Sequence, residues 1–179
     1  YVIGGQCWEF PCVVPSDWEA QNVQRPNNPE TIADMQRALD AAVLKQGVFP
    51  LVFHPHGWIR NDQIIELIDY AEKNYVRRVK FLNFRQCAER LQKHLLAGQA
   101  LRADDGGDNG VRILDLNDDG FVDVLIGNQD VQKTRLWLPK ENRFRELDCP
   151  LPVVAVQGDR RVNANVRFGV IAKNGYASM

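Results

Sequence analysis

The hydrophobic periodicity of the chain changes near residue 100. Before that point, helical patterns alternate with short apolar runs, and after Val111 only short strand-like runs separated by turn residues occur. A strand–helix–strand order implies crossover connections, so residues 1–97 are predicted to form an α/β unit with a parallel sheet or barrel. The Gly- and Asp-rich stretch 98–110 is predicted to be a linker or the entry to a blade. Residues 111–179 are predicted to be all-β.

Three amphipathic helices are predicted in the first part. Their sequences are NNPETIADMQRALDAAVLKQG, NDQIIELIDYAEKNY and FRQCAERLQKHLLAG. Asn28 caps the first, and Asn61 or Asp62 caps the second. Short apolar runs at 49–54 and 79–82 are predicted to be buried parallel strands. The expected buried stripes are Ile32, Met35, Leu39 and Val43 in the first helix, and Ile64, Ile65, Ile68 and Ala71 in the second.

Composition excludes some classes of function. The net charge of −1 gives no indication that the chain binds nucleic acid or an anionic membrane. No apolar run approaches the roughly 20 residues of a membrane helix. None of the four cysteines lies in a C-x-x-C pair, so we expect free, mostly buried thiols, with a disulfide between Cys7 and Cys12 as the alternative. No signal peptide is evident, and because the chain opens at Tyr1 we expect a piece of a longer protein.

The most specific chemical signal is DLNDDGFVD, residues 115–123. A tight loop can aim every second side chain at one point, and a hard cation such as Ca²⁺ needs several oxygen ligands. An EF-hand is excluded, because Ile126 stands at the twelfth position, where that motif needs Glu, and both flanks are strand-like. The alternative is a polar turn without an ion. The predicted ligands are Asp115, Asn117, Asp119, the carbonyl of Phe121, and Asp123.

A second candidate site combines VPSDWEAQ, residues 14–21, with FPLVFHPHGW, residues 49–58. His54 ends a predicted strand, where active sites of α/β proteins assemble. Histidine has an ordinary pKa of about 6.5, which suits protonation of a leaving group, and Asp17 could orient a positive group. Trp58 offers an aromatic face to a sugar ring. Two alternatives remain open: His54 and His56 as direct metal ligands, or as a purely structural pair.

The order of Asp17–Trp18, a helix from Pro29, and Leu51 to His54 resembles the C-terminal part of a polysaccharide deacetylase domain. This carbohydrate esterase family has a deformed (β/α) barrel, and the resemblance covers roughly residues 1–97. It implies that His54 protonates the departing group and that Asp17 supports it. His56 has no clear counterpart in the family and stays a second candidate for the same role. Trp18 and Leu51 would shape the acetate pocket.

The metal site of that family holds a divalent ion such as Zn²⁺. It needs an early aspartate and an H-x-x-x-H pair, neither of which occurs in this sequence. We expect both to lie upstream of Tyr1.

The stretch VRILDLNDDGFVDVLIGN resembles the FG-GAP/VCBS repeat of β-propeller proteins, whose D-x-[DN]-x-D-G-x-x-D loop binds calcium between two strands of a blade. The resemblance covers roughly residues 104–179. RFGVIAKNG, residues 167–175, is similar to the Phe-Gly start of a following repeat. It implies a structural calcium ion that neutralises crowded carboxylates.

The sequence therefore predicts a fragment of a metal-dependent carbohydrate deacetylase that carries a calcium-binding β-propeller. The reaction would be hydrolysis of N- or O-acetyl groups on a polysaccharide or cell-surface glycan. The expected location is secreted, periplasmic or in the bacterial cell envelope. The alternative is a catalytically inactive adhesion module that binds carbohydrate or protein.

Overall fold

The chain divides between Leu82 and Asn83, and again between Glu9 and Phe10. The computed structural model describes residues 2–4, 7–149, 151–170 and 175–178. Residues 10–82 form one unit, called here the helical unit, and the other described residues form the β unit. The periodicity of the sequence predicts this change of architecture later in the chain, at 98–110. The difference arises because the helix after Asn83 contributes Leu96 and its neighbours to the core of the β unit.

Capping and periodicity explain the longest helix of the helical unit. Helix α1 covers Asp17–Glu19 and continues as a π-helical turn over Ala20–Gln24. Helix α2 covers Pro29–Leu44 and α3 covers Asn61–Tyr75. The side chain of Asn28 accepts from the backbone N–H of Glu30 at 2.9 Å, which confirms the predicted cap of α2. Three of the four predicted α2 stripe residues are buried against Leu67 and Ala71 of α3; they are Ile32, Met35 and Leu39.

Helix α3 has the predicted limits but buries a different face. Ile65 is 55% exposed and Ile68 is 36% exposed, so the predicted stripe is wrong at both positions. The buried positions are Gln63, Leu67 and Ala71, spaced four residues apart. Gln63 is tolerated there because its side-chain amide donates to the carbonyls of Asn27 and Asn28, at 3.3 and 3.2 Å. The N-cap is Arg60, one residue before the positions expected from the sequence.

The two apolar runs predicted to be strands lie outside any strand and have no sheet pairing. Residues 10–82 are all described and contain no strand. Phe49, Leu51 and Val79 turn toward the α2–α3 core, whereas Phe53 and Phe81 are exposed. A strand needs a neighbour for its backbone N–H and C=O groups, and an apolar run alone does not supply one. The prediction of strands at 49–54 and 79–82 is therefore wrong for this chain, and the deformed barrel stays a prediction.

The β unit is built around an antiparallel meander. Strands β3 to β6 form one sheet in the order in which they occur along the chain. The register pairs Val111 with Ile126 and Trp137 with Phe144. These four strands, and the hairpin between Leu138 and Arg143, confirm the strand predictions made from the sequence after residue 110. Their bounds are Val111–Leu114 (β3), Asp123–Gly127 (β4), Gln132–Leu138 (β5) and Arg143–Asp148 (β6).

Short hairpins and one helix complete the β unit. Strands β1 and β2 pair, as do β7 with β8 and β9 with β10, all antiparallel. Residues 171–174 of the predicted Phe-Gly repeat start lie outside the described residues. The bounds are Val2–Ile3 (β1), Cys7–Trp8 (β2), Val154–Gln157 (β7), Arg160–Asn163 (β8), Gly169–Val170 (β9), Ala177–Ser178 (β10) and Phe84–Arg90 (α4), which continues as a π-helical turn over Leu91–Leu95.

Strand β4 is covered on both faces. Val124 and Ile126 point into one apolar cluster with Leu96, and Leu125 points into another with Val153. Burial on both faces explains why this run is continuously apolar rather than alternating. The loop that precedes β4 is therefore held on a rigid element.

The cysteines are unpaired, as expected, but the expectation that most of them are buried is wrong for two of the four. All four cysteines are free; Cys87 and Cys149 are buried, whereas Cys7 and Cys12 are exposed. No helix in the described part of the chain is both long and apolar enough to cross a membrane.

A glycine contact tests the packing of the β unit. Gly110 has φ +70°, and a Cβ there would lie 2.6 Å from the carbonyl oxygen of Gly127. We expect Gly110→Ala to lower the free energy of unfolding by about 2–4 kcal/mol, from left-handed strain plus overpacking. Gly106 is the matched control, because its φ is +79° but a Cβ would meet nothing within 4 Å. Gly106→Ala should cost only about 1 kcal/mol in urea unfolding. Equal losses in the two variants would contradict this packing.

Candidate functional site

Asp17 is placed by the capping of a short helix. The hydroxyl of Ser16 accepts from the backbone N–H of Trp18 at 3.2 Å. The backbone N–H and the hydroxyl of Ser16 both donate to the Glu19 carboxylate, at 2.7 and 2.6 Å. The hydrogen bond from the Ser16 side chain lowers the pKa of Glu19. This reciprocal capping closes the turn in which Asp17 is the first residue, and the Asp17 side chain is only 1% exposed.

The buried carboxylate of Asp17 binds His54, which lies 37 residues further along the chain. The imidazole Nδ1 is 2.9 Å from Oδ1 of Asp17, and the backbone N–H of His54 donates to Oδ2. The His54 side chain is 44% exposed. The carboxylate therefore orients the ring through Nδ1 and leaves Nε2 free to act on a ligand. The structure brings together the two residues that the sequence analysis combined, and their catalytic roles stay predictions.

The ring of His54 forms a cluster with two other aromatic rings, those of His56 and Trp58. The rings of His54 and His56 stack with their centroids 5.9 Å apart and their planes at 12°. Trp58 is tilted against both, with centroid distances of 5.2 and 5.1 Å. Trp58 therefore packs on the imidazoles and is half-buried. Its predicted role in binding sugar stays a prediction.

A pocket of about 490 Å³ opens beside His54. Trp18 and Leu51, expected to shape an acetate pocket, are not among its lining residues. Trp18 is 54% exposed, and Leu51 packs against the α2–α3 core. The sequence did not predict that the residues between His54 and the first turn of α3 line this pocket. The only signal for them was their closeness in sequence to His54. The pocket is lined by Asp17, Phe53, His54, Pro55, Gly57, Ile59, Asn61 and Ile64.

The aspartate loop joins β3 to β4, so both of its flanks are strands, as expected. Asp123 is fully buried at the start of β4. Its carboxylate accepts from the backbone N–H groups of Leu116 and Trp137, at 2.9 and 2.7 Å. Burial raises the pKa of Asp123, and the nearby charges of Asp119 and Asp115 raise it further, whereas the two N–H donors lower it. The ionised form of Asp123 is thus disfavoured in the folded protein.

The other predicted ligands lie in the same turn. Asp115 accepts from the backbone N–H of Gly120 at 2.8 Å, and Asp119 accepts from that of Phe121 at 2.9 Å. Oδ1 of Asn117 is buried and has no hydrogen-bond partner among the described residues. The oxygen donors suit Ca²⁺ in kind, and that orphaned oxygen is a free acceptor. In the described ranges, however, no three His, Cys, Asp or Glu side chains form a group that could hold a metal ion.

Comparison of the chain with protein-family models, with curated proteins and with solved structures gave no significant match. The two family resemblances therefore stay predictions, and the geometry of the sites has to carry the functional argument.

The contact between Asp17 and His54 predicts a specific tautomer. At alkaline pH the neutral ring of His54 should carry its proton on Nδ1, because Asp17 accepts there. Asp17→Ala should shift the proton toward Nε2, and Asp17→Asn, which keeps one acceptor oxygen, should shift it less. Long-range ¹⁵N–¹H NMR correlations measure the tautomer, with His94 as the unaffected control. An Nε2-protonated His54 in the unsubstituted protein would contradict the described geometry.

Proposed function

We propose that the helical unit is part of a carbohydrate deacetylase that hydrolyses N- or O-acetyl groups on a polysaccharide. The observation that carries this proposal is the Asp17–His54 pair beside an open pocket. A histidine that is held through one ring nitrogen by a buried carboxylate is suited to acid–base catalysis at the other nitrogen.

In this proposal His54 donates a proton from Nε2 to the departing amine or alkoxide. Asp17 holds the Nδ1–H and stabilises the positive charge of the protonated ring. His56 has no carboxylate partner in the part of the chain that the structure describes, so His54 is the preferred acid. Trp18, exposed beside Asp17, is free to contact the glycan.

The metal of the family is not accounted for by these residues. Hydrolysis by that family uses a divalent ion such as Zn²⁺, and the described residues contain no group of three ligands for one. The deacetylase proposal therefore requires metal ligands from other residues of the protein. If the gene encodes none, the alternative is a binding module, in which the same pocket and Trp18 hold a glycan without cleaving it.

We also propose that the loop of the β unit binds calcium. Asp115, Asn117, Asp119, the carbonyl of Phe121 and Asp123 would hold the ion, whose charge would offset the repulsion among the carboxylates. Two features support this proposal: the orphaned oxygen of Asn117, and the burial of Asp123 beside two other acidic side chains. We further propose that the four-stranded meander that carries the loop is a propeller blade and that the protein is extracellular or in the cell envelope.

The deacetylase proposal is tested by acetate release. The protein, with whatever residues its gene encodes before Tyr1, is incubated with zinc and with acetylated chitooligosaccharides or acetylated xylan. We expect His54→Asn to lower the rate by about 10²-fold or more, since general acid–base catalysis contributes that much. His94→Asn is the matched control and should leave the rate unchanged. Equal rates for the two variants would contradict the role of His54. Glycan binding without acetate release would favour the binding module.

The calcium proposal is tested through the pH dependence of stability. Because the pKa of Asp123 is raised on folding, the folded state keeps a proton that the unfolded chain has lost. Without calcium, the contribution of Asp123 to stability should therefore fall as the pH rises through the raised pKa. Calcium binds the ionised carboxylate, so with calcium that contribution should rise with pH instead. At a hundred times its dissociation constant, the ion should add about 2.7 kcal/mol.

The measurement is urea unfolding at several pH values, with and without millimolar calcium. Asp123→Asn removes the titrating group, so the difference between this variant and the unsubstituted protein isolates its contribution. Asp119→Ala should abolish the response to calcium. The same pH trend with and without calcium would rule out binding at this loop.

A further inference from the structure

Besides His54, the pocket contains one polar side chain, solvent-exposed, that forms no hydrogen bond within the helical unit. Of its polar lining residues, Asp17 is occupied by two N–H groups of His54, and His54 offers Nε2. The third is Asn61, whose side chain forms no hydrogen bond within residues 10–82, all of which the structure describes. The remaining lining is apolar apart from Gly57, and consists of Phe53, Pro55, Ile59 and Ile64.

Asn61 is not needed to build the helix on which it lies. It is the first residue of α3, but the N-cap is Arg60. The backbone N–H of Arg60 donates to the side chain of Gln63 at 3.1 Å, which closes the first turn without Asn61. Asparagine is favoured as a capping residue because its side chain accepts from helix N–H groups, and Asn61 does not do so here. Since Leu67 and Ala71 anchor α3 in the core, the Asn61 amide is carried on a fixed element.

A carboxamide offers one acceptor oxygen and two N–H donors. An acetamido group offers an N–H, which suits the acceptor oxygen of Asn61, and a methyl group, which suits the apolar wall. Its carbonyl oxygen points away from its N–H, because a secondary amide is trans, so that oxygen is left to another donor. An acetate ester has the carbonyl and the methyl group but lacks the N–H, so the oxygen of Asn61 would lose its partner. A site that pairs with an N–H discriminates against an analogue that lacks it.

We infer that this pocket takes an acetamido group, and that Asn61 selects it over an acetate ester. The inference rests on the proposed function, because it assumes that acetylated sugars reach His54. It also places the subsite on residues 53–64 instead of on Trp18 and Leu51, the positions that the family resemblance implied.

The test uses two probes that differ only in the acyl linkage: methyl 2-acetamido-2-deoxy-β-D-glucopyranoside and methyl 2-O-acetyl-β-D-glucopyranoside. Each is titrated into ¹⁵N-labelled protein and followed by backbone amide shifts. We expect the acetamido sugar to bind about 3- to 10-fold more tightly, as one net hydrogen bond allows. Asn61→Leu should remove the preference and leave the affinity for the ester within about 2-fold. Asn74→Leu, at the other end of α3, is the matched control and should keep the preference.

Each other outcome has a distinct meaning. If both sugars bind at His54 with equal affinity, or if Asn61→Leu keeps the preference, the inference is overturned and the proposed glycan site stands. If neither sugar shifts the amides of residues 53–64, the proposed function and the inference both fail. Should Asn61→Leu not fold, Asn61→Ala replaces it. That side chain also lacks the acceptor oxygen, so it should likewise remove the preference.

Discussion

The helical unit depends on one buried carboxylate. Asp17 is shielded from solvent, and burying an unpaired carboxylate is costly unless hydrogen bonds compensate it. Here two N–H groups of His54 supply them, one from the backbone and one from the ring. The contact holds the segment that contains His54 against the start of α1, although that segment pairs with no strand. The ring cluster and the pocket both follow from this attachment.

The buried carboxylate of the β unit is in a different electrostatic position. Among the described residues, Asp123 accepts only from neutral backbone N–H groups, and its charged neighbours are the acidic Asp115 and Asp119. Asp17, by contrast, faces an imidazole that can itself carry a positive charge. The two sites therefore have different requirements. The first is complete with its histidine, whereas the second has the electrostatic requirement that the proposed cation would meet.

The sequence was sufficient to predict the helices and strands whose limits are set by neighbouring residues. Asn28 and Pro29 mark the start of α2, and the limits of α3 follow from its composition. Turn residues also separate the strands of the β3–β6 meander correctly. Strand pairing and the rotation of a helix about its axis depend on residues far apart in the chain. The predictions of both failed. The run around Phe53 has the composition of a strand but no strand to pair with. Helix α3 is rotated so that Gln63 is buried, because the carbonyls of residues 27 and 28 accept hydrogen bonds from its side-chain amide.

The sequence was sufficient to predict the key pair of the candidate site but not the residues that line its pocket. Asp17 and His54 carry chemistry that the sequence displays, and their order along the chain suggested that they act together. Asn61 displays nothing unusual, because an asparagine at the start of a helix is ordinarily a cap. Its availability becomes evident only when the helix is seen to close its first turn through Gln63.

The most direct test of the account is a crystal structure of the protein soaked with the acetamido sugar. We expect Nδ1 of His54 to lie about 2.9 Å from the Asp17 carboxylate, with the acetamido group in the pocket on the Nε2 side of the ring. A His54 ring turned away from Asp17, with the sugar bound elsewhere or not at all, would contradict the account.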